Sequence, residues 1–258
     1  MNRFERTELL LGEEALRKLK AARVVVVGLG AVGSYAVEGL ARAGVGTLRL
    51  VDFDVIRRSN INRQLYALDS TVGRPKVEVA AARIREINPD CRVGTLTVFV
   101  DPETANCVLD GSPDVVIDAI DGVGPKVVLI QAAVGAGLKV VSAMGAALHR
   151  EPLAIRVDDI SKTKICPLAR FIRKRLGQRG IKRGVRCIYS VEEVPHVKQP
   201  EDDESTEKDF YERGRKRTPL GSLSTVTGMF GLMAAHEAIT LILGDGRPAT
   251  PGLHHDAK

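Results

Sequence analysis

Residues 24–64 read VVVVGLGAVGSYAVEGLARAGVGTLRLVDFDVIRRSNINRQ, and the fold turns on them. Val24 to Val27 form an unbroken β-branched run, as a strand buried on both faces requires. Gly28-x-Gly30-x-x-Gly33 follows at once and opens a helical pattern. The glycines permit a tight turn and let backbone N–H groups approach a phosphate at the helix amino end. A second apolar run ends in Asp52-Phe53-Asp54. Asp52 lies 24 residues after Gly28, where a carboxylate meets a ribose hydroxyl. That much fits any nucleotide-binding βαβ unit. Asn60, Arg63 and Gln64 close behind the acidic pair are residues a hydride-transferring dehydrogenase has no reason to carry.

Outward from this stretch, strand and helix signals alternate. Strands are predicted at Arg23–Val27, Thr47–Val51, Arg92–Thr97, Val115–Asp118 and Lys139–Ser142. Helices are predicted near Glu13–Lys20, Ala31–Ala43, Lys76–Ile87, Pro102–Val108 and Gly124–Ala136. The expected class is α/β: a Rossmann-like doubly wound sheet, mainly parallel, with ligand at the carboxyl ends of its strands. Asp52, Asp54 and Asp121 fall at or just beyond such ends. After Met144-Gly145-Ala146 the pattern breaks, so residues 1–146 are expected as the nucleotide-binding domain and 147–258 as a C-terminal α+β extension of the same fold. In that extension, strands are predicted at Ala154–Val157 and Arg186–Ser190 and a basic helix at Pro167–Leu176. A flexible acidic loop is expected over 195–217, and the final apolar helix over 222–243. That helix is long enough for a membrane span, but His236, Glu237 and small polar residues interrupt it. Packing on the sheet or at a dimer interface suits it better, and no membrane association is expected.

Composition narrows the class. The chain has 258 residues, ample for a core, and an ordinary hydrophobic fraction of 44%. Its opening, MNRFERTELL, lacks the apolar stretch of a signal peptide, which favours the cytoplasm. Cys91, Cys107, Cys166 and Cys187 form no C-x-x-C pair, so neither a zinc knuckle nor a disulfide framework is indicated. The net charge of +6 is unevenly spread: Ser161–Ser190 holds ten Lys/Arg residues and no acid, and Glu192–Asp209 holds eight acids and two lysines. Such a basic block is a solvated surface or a footprint for a polyphosphate such as RNA.

The polar motifs together resemble the superfamily of ubiquitin-activating-like adenylating enzymes, which includes the bacterial ThiF, MoeB and HesA proteins. The resemblance runs from Arg3-Phe4-Glu5-Arg6 through the glycine loop, Asp52-Phe53-Asp54, Ser59–Gln64, Val72–Lys76 and Ile87-Asn88-Pro89 to Asp118-Ala119-Ile120-Asp121. It implies ATP as the nucleotide, with Gly28, Gly30 and Gly33 against it and Asp52 on the ribose. Asp54 is either part of the ATP site or a cap on the turn after its strand. Asn60, Arg63 and Lys76 would reach the phosphates, Gln64 would support their loop, and Asp121 would organise Mg²⁺. A monovalent cation is a further candidate ligand. Arg6 would act in trans across a homodimer. Lys76 opens a helix, where a lysine is electrostatically misplaced, and this favours a functional role on physical grounds alone.

Two branches of the superfamily compete. One activates the C-terminal glycine of a small ubiquitin-like sulfur carrier and commonly adds paired C-x-x-C motifs, which this chain lacks. The other comprises the tRNA threonylcarbamoyladenosine dehydratases, in which the activated carboxylate belongs to a modified adenosine and cyclises with loss of water. The second half, with Cys166–Arg170, Gly184–Ser190 and Pro219–Ser222, resembles that branch. It implies tRNA as partner, with Arg170, Arg173, Lys174, Arg175, Lys182 and Arg183 as contacts, joined by Arg213, Arg215, Lys216 and Arg217. Phe171 and Tyr189 are the candidate stacking side chains. A sulfur-transfer protein is a further candidate partner, although no cysteine lies near Gly221.

Overall fold

Strand β1 (Arg23–Val27) lies near the middle of a seven-stranded sheet of order β3-β2-β1-β4-β5-β7-β6 in the computed structural model, which describes residues 3–194 and 220–244. The remaining strands are β2 (Thr47–Val51), β3 (Arg92–Leu96), β4 (Val115–Asp118), β5 (Lys139–Ala143), β6 (Ile155–Asp159) and β7 (Val185–Ser190). All neighbours pair in parallel except β6, which runs antiparallel to β7 at the edge. The valine run explains the central position of β1. Val24 and Val26 enter the core on one face and Val25 and Val27 on the other. Only a strand covered by helices on both sides buries such a run.

One layer contains α2 (Glu13–Ala21), α3 (Gly33–Ala43), α4 (Lys76–Ile87) and α8 (Ser224–Leu243), and the other α5 (Ala105–Leu109), α6 (Val123–Gly135) and α7 (Pro167–Gln178). Chain order reverses between β1 and β4, which opens the crevice where open α/β sheets take ligands. The predicted elements are present, several with ends moved by two or three residues: the fifth helix is Ala105–Leu109, and the last starts at Ser224. A short α1 (Glu5–Leu11), which the pattern did not announce, precedes them and buries none of its own residues. The expected acidic loop at 195–217, with Arg213, Arg215, Lys216 and Arg217 in it, lies outside the described residues.

By length and composition α8 is apolar enough to cross a membrane, yet it packs on α3, β4 and β5. Val226, Phe230, Ala234 and Ala238, four residues apart, are fully buried. A side chain at Gly231 would collide with the Val32 carbonyl and stand 2.7 Å from Tyr35 Cβ, so the two helices touch backbone to backbone. Polar ties fix the register: the Arg186 guanidinium on β7 pairs with Glu237 at 3.0 Å, and Lys139 Nζ donates to the Leu241 carbonyl at 2.7 Å. The second half thus adds two strands and a covering helix to the sheet of the first.

Candidate nucleotide and phosphate site

The glycine loop leaves β1 at the carboxyl end of the sheet. Gly28 has φ +89°, and a Cβ there would lie 2.6 Å from the Ala119 carbonyl oxygen. A Cβ on Gly33 would collide with the Gly28 carbonyl. Both positions therefore require glycine, one for conformation and both for space. The result is a tight loop that leads straight into the amino end of α3, the positive end of the helix dipole.

Asp52, just past β2, is buried and closes over this loop. Its Oδ2 accepts the Leu29 N–H at 2.7 Å and its Oδ1 accepts the Asp54 N–H at 2.9 Å. Asp54 is not a simple turn cap. Lys76 Nζ lies 3.1 Å from Asp54 Oδ2 and 3.9 Å from Asp52 Oδ2, and the Arg57 guanidinium pairs with Asp54 at 3.3 Å. Burial pushes the Asp54 carboxyl up, but the Lys76 charge and hydrogen bond, helped by Arg57, hold it below the usual carboxylate range. Lys76 is itself 6% exposed, at the first position of α4 after Pro75. A lysine buried at a helix amino end is electrostatically misplaced there, and the two carboxylates stabilise its charge.

The segment after Asp54 is folded around Asn60, whose Oδ1 accepts the Arg57 N–H at 3.0 Å. Gln64 is buried with Nε2 near Gly30. Arg63 donates to the Ser59 carbonyl and to Asn62 Oδ1, and Asn62 reaches across to the Ser222 carbonyl before α8. Ser34 and Tyr66, which the motif reading passed over, anchor this segment to the first turn of α3. Ser34 Oγ accepts the Leu65 N–H at 3.2 Å, and the Tyr66 hydroxyl donates to the Ser34 carbonyl at 3.0 Å.

Asp121 lies exposed three residues past the end of β4, before α6. Among the described residues no three His, Cys, Asp or Glu side chains gather at one point. An accessible carboxylate on the loop after β4 is compatible with Mg²⁺, which usually takes one or two carboxylates plus phosphate oxygens and water. Beneath the loop lies a second group absent from the sequence reading. Lys126 and Asp118 are fully buried with Nζ 2.6 Å from Oδ2, and the Ser142 hydroxyl donates to the same oxygen at 2.6 Å.

Contacts tie Gly28, Gly30, Gly33, Asp52, Asp54, Gln64 and Lys76 together beyond the carboxyl ends of β1 and β2, while Asn60 and Arg63 lie on the segment between Asp54 and Gln64 and Asp121 follows β4. Arg6 does not join them. Phe4, the residue before α1, packs beside Gly44 at the far end of α3 from the glycine loop. Eleven helical residues span roughly 16 Å, so Arg6 stands apart from this site in its own chain.

The basic residues of α7 and of the loop after it divide into two groups. Arg170, Lys174, Lys182 and Arg183 are exposed. Arg173 is committed internally, donating to the carbonyls of Ile160 and Thr163 and to the Thr163 hydroxyl. Arg175 lies over the Phe171 ring at 5.1 Å. Tyr189 is corrected as a stacking candidate: it is 2% exposed, and its hydroxyl donates to Asp158 Oδ2 at 2.7 Å.

Fold and glycine loop together define a Rossmann-like nucleotide-binding protein. The ThiF family matches residues 4–257, and the chain belongs to that family. It is 39% identical to a tRNA threonylcarbamoyladenosine dehydratase of Bacillus subtilis over 245 residues, covering 95% of this chain and 96% of that protein. Its likeness to the enzyme of that name from Escherichia coli is 38% over 92% of both chains. The E. coli enzyme TcdA, solved in complex with ATP, superposes with a TM-score of 0.81 at 36% identity over 93% of each chain. A molybdopterin-synthase adenylyltransferase of E. coli is 30% identical over 93% of this chain and 79% of that one.

Proposed function

We propose that this chain is an ATP-dependent tRNA threonylcarbamoyladenosine dehydratase. The observation that carries the proposal is the end-to-end likeness to proteins of that name, over both the phosphate site and the second half built into the same sheet. In the first step the substrate carboxylate oxygen attacks the α-phosphorus of ATP. The bond to the pyrophosphate oxygen breaks, and an acyl-adenylate forms. In the second, a carbamoyl nitrogen or oxygen attacks the activated carbonyl carbon, AMP leaves, and the ring closes with net loss of water from the nucleoside. The substrate supplies both nucleophiles, so the protein's task is positioning and charge stabilisation.

Gly28, Gly30 and Gly33 would receive the nucleotide against the α3 amino end, and Asp52 would take the ribose hydroxyls. Lys76, Arg63 and Asn60 would meet the phosphates, with Gln64 steadying their loop. Asp121 would hold Mg²⁺, which supplies neutralising charge to the phosphate oxygens when bound. Arg170 and Lys174 of α7 and Lys182 and Arg183 beyond it are exposed cations that would meet tRNA phosphates in the cytoplasm. Arg6 would serve the partner's site in a homodimer. In support, α1 buries none of its residues, and Leu9 and Leu10 are each 71% exposed beside it.

The second reading, adenylation of a ubiquitin-like carrier protein, is favoured by the 30% identity to a molybdopterin-synthase adenylyltransferase. One experiment separates the two. Threonylcarbamoyladenosine-bearing tRNA is incubated with the protein, ATP and Mg²⁺, digested mildly, and its nucleosides are weighed by mass spectrometry. ATP-dependent loss of one water is the expected result. No mass change from folded, ATP-binding protein overturns the proposal. Pyrophosphate exchange that depends on a Gly-Gly-ended protein would then establish the alternative.

A further inference from the structure

We propose that the buried trio Asp118, Lys126 and Ser142 is a positioning device that fixes the Asp121 turn and the floor of the glycine loop for adenylation. The inference rests on the phosphate-site reading above. Asp118 ends β4, Lys126 lies on α6 and Ser142 on β5, and all three are fully buried, so none touches substrate. Lys126 Nζ donates to Asp118 Oδ2 at 2.6 Å and to the Ala143 carbonyl at 2.9 Å. Ser142 Oγ donates to Asp118 Oδ2 at 2.6 Å, and Asp118 Oδ1 accepts the Ile120 N–H at 3.1 Å. The carboxylate is thus held on one side by β5 and α6, and on the other it shapes the 118–121 turn.

That turn meets the phosphate loop directly. The Ala119 carbonyl occupies the space a Gly28 side chain would need, and Ala119 Cβ lies 3.3 Å from where a Gly33 Cβ would stand. A shift in Asp118 therefore moves Asp121 and the glycine loop together. Stability does not explain the charges. A dry ion pair pays desolvation for both partners, and apolar replacement of such pairs is often neutral or stabilising. Directionality does explain them: a lysine and a hydroxyl on one oxygen leave the other free to orient a backbone N–H.

The test compares Asp118→Asn/Lys126→Met, Ser142→Ala and Asp121→Ala with wild type, measuring kcat and KM for ATP, Mg²⁺ dependence and Tm. The double variant should lose roughly 100-fold in kcat, as ångström-scale misplacement of a reacting group does, with raised Mg²⁺ demand and unchanged or higher Tm. A folded double variant with kcat within about threefold of wild type, beside an inactive Asp121→Ala, overturns the inference. Normal turnover by Asp121→Ala would instead overturn the phosphate-site reading itself. If the double variant does not fold, Ser142→Ala decides: a roughly tenfold loss of kcat supports the device, and no loss overturns it.

Discussion

Lys76 Nζ stands 3.1 Å from Asp54 Oδ2, so the cation proposed to meet phosphate is held by an acid two residues past the proposed ribose carboxylate, Asp52. Asp52 Oδ2 lies 3.9 Å from the same ammonium. Lys76→Met should lower kcat by about 100-fold or more while tRNA binding stays intact. Asp54→Asn should act differently, raising KM for ATP more than it lowers kcat, because Lys76 then competes for Asp52. Steady-state kinetics on the two variants checks the split, and matching profiles would remove Asp54 from this role.

The exposed and committed arginines of α7 should separate in experiment. Arg170→Ala and Lys174→Ala should weaken tRNA binding and each reduce the slope of log K against log salt by about 1. Arg173→Ala removes donors to two carbonyls and a hydroxyl, so it should cost about 1–2 kcal/mol in stability and leave the slope alone. Salt-titrated binding and thermal melting read the two effects independently.

Acid stability has a named contributor. Glu38 on α3 pairs with Arg83 of α4 at 2.9 Å and with Arg42 at 2.7 Å. Burial works to raise its carboxyl, but the two guanidinium groups outweigh it and hold it below its ordinary value of 4.5. A group with a lowered folded-state pKa stabilises above its unfolded value and loses that contribution as pH falls through the folded one. Glu38→Gln should therefore be less stable than wild type by roughly 1–2 kcal/mol at neutral pH. The gap should close well below pH 4.5, as melting curves across pH 3–7 would reveal.

Arg6 invites a complementation test. Mixing equal amounts of Arg6→Ala and Lys76→Met subunits should restore about a quarter of wild-type activity, since half of the dimers then carry one intact site. Failure to recover activity after subunit exchange would place Arg6 outside the neighbour's site.

The parts of the molecule legible in the sequence are those written in short local patterns. The glycine loop, Asp52 and Lys76 declare themselves because turn geometry and helix polarity constrain adjacent residues. Asp118, Lys126 and Ser142 were illegible as a set, since 24 residues separate the outer two and only the pairing of β4 with β5 brings them together. Arg173 and Tyr189 were misjudged for a related reason. Residue type gives charge and ring, while burial and hydrogen bonding decide whether either is free. Helix α1 escaped notice because it has no buried face to imprint a periodicity.

The position of α8 has a consequence for the order of events during synthesis. Every residue proposed for the nucleotide site precedes residue 122, whereas the helix that covers α3, β4 and β5 begins at Ser224. A ribosome that has released the first 150 residues has therefore exported those residues on a sheet whose β4 and β5 still lack their covering helix on one face. That nascent intermediate presents apolar surface to chaperones and to other chains. The site becomes durable only when the last helix docks.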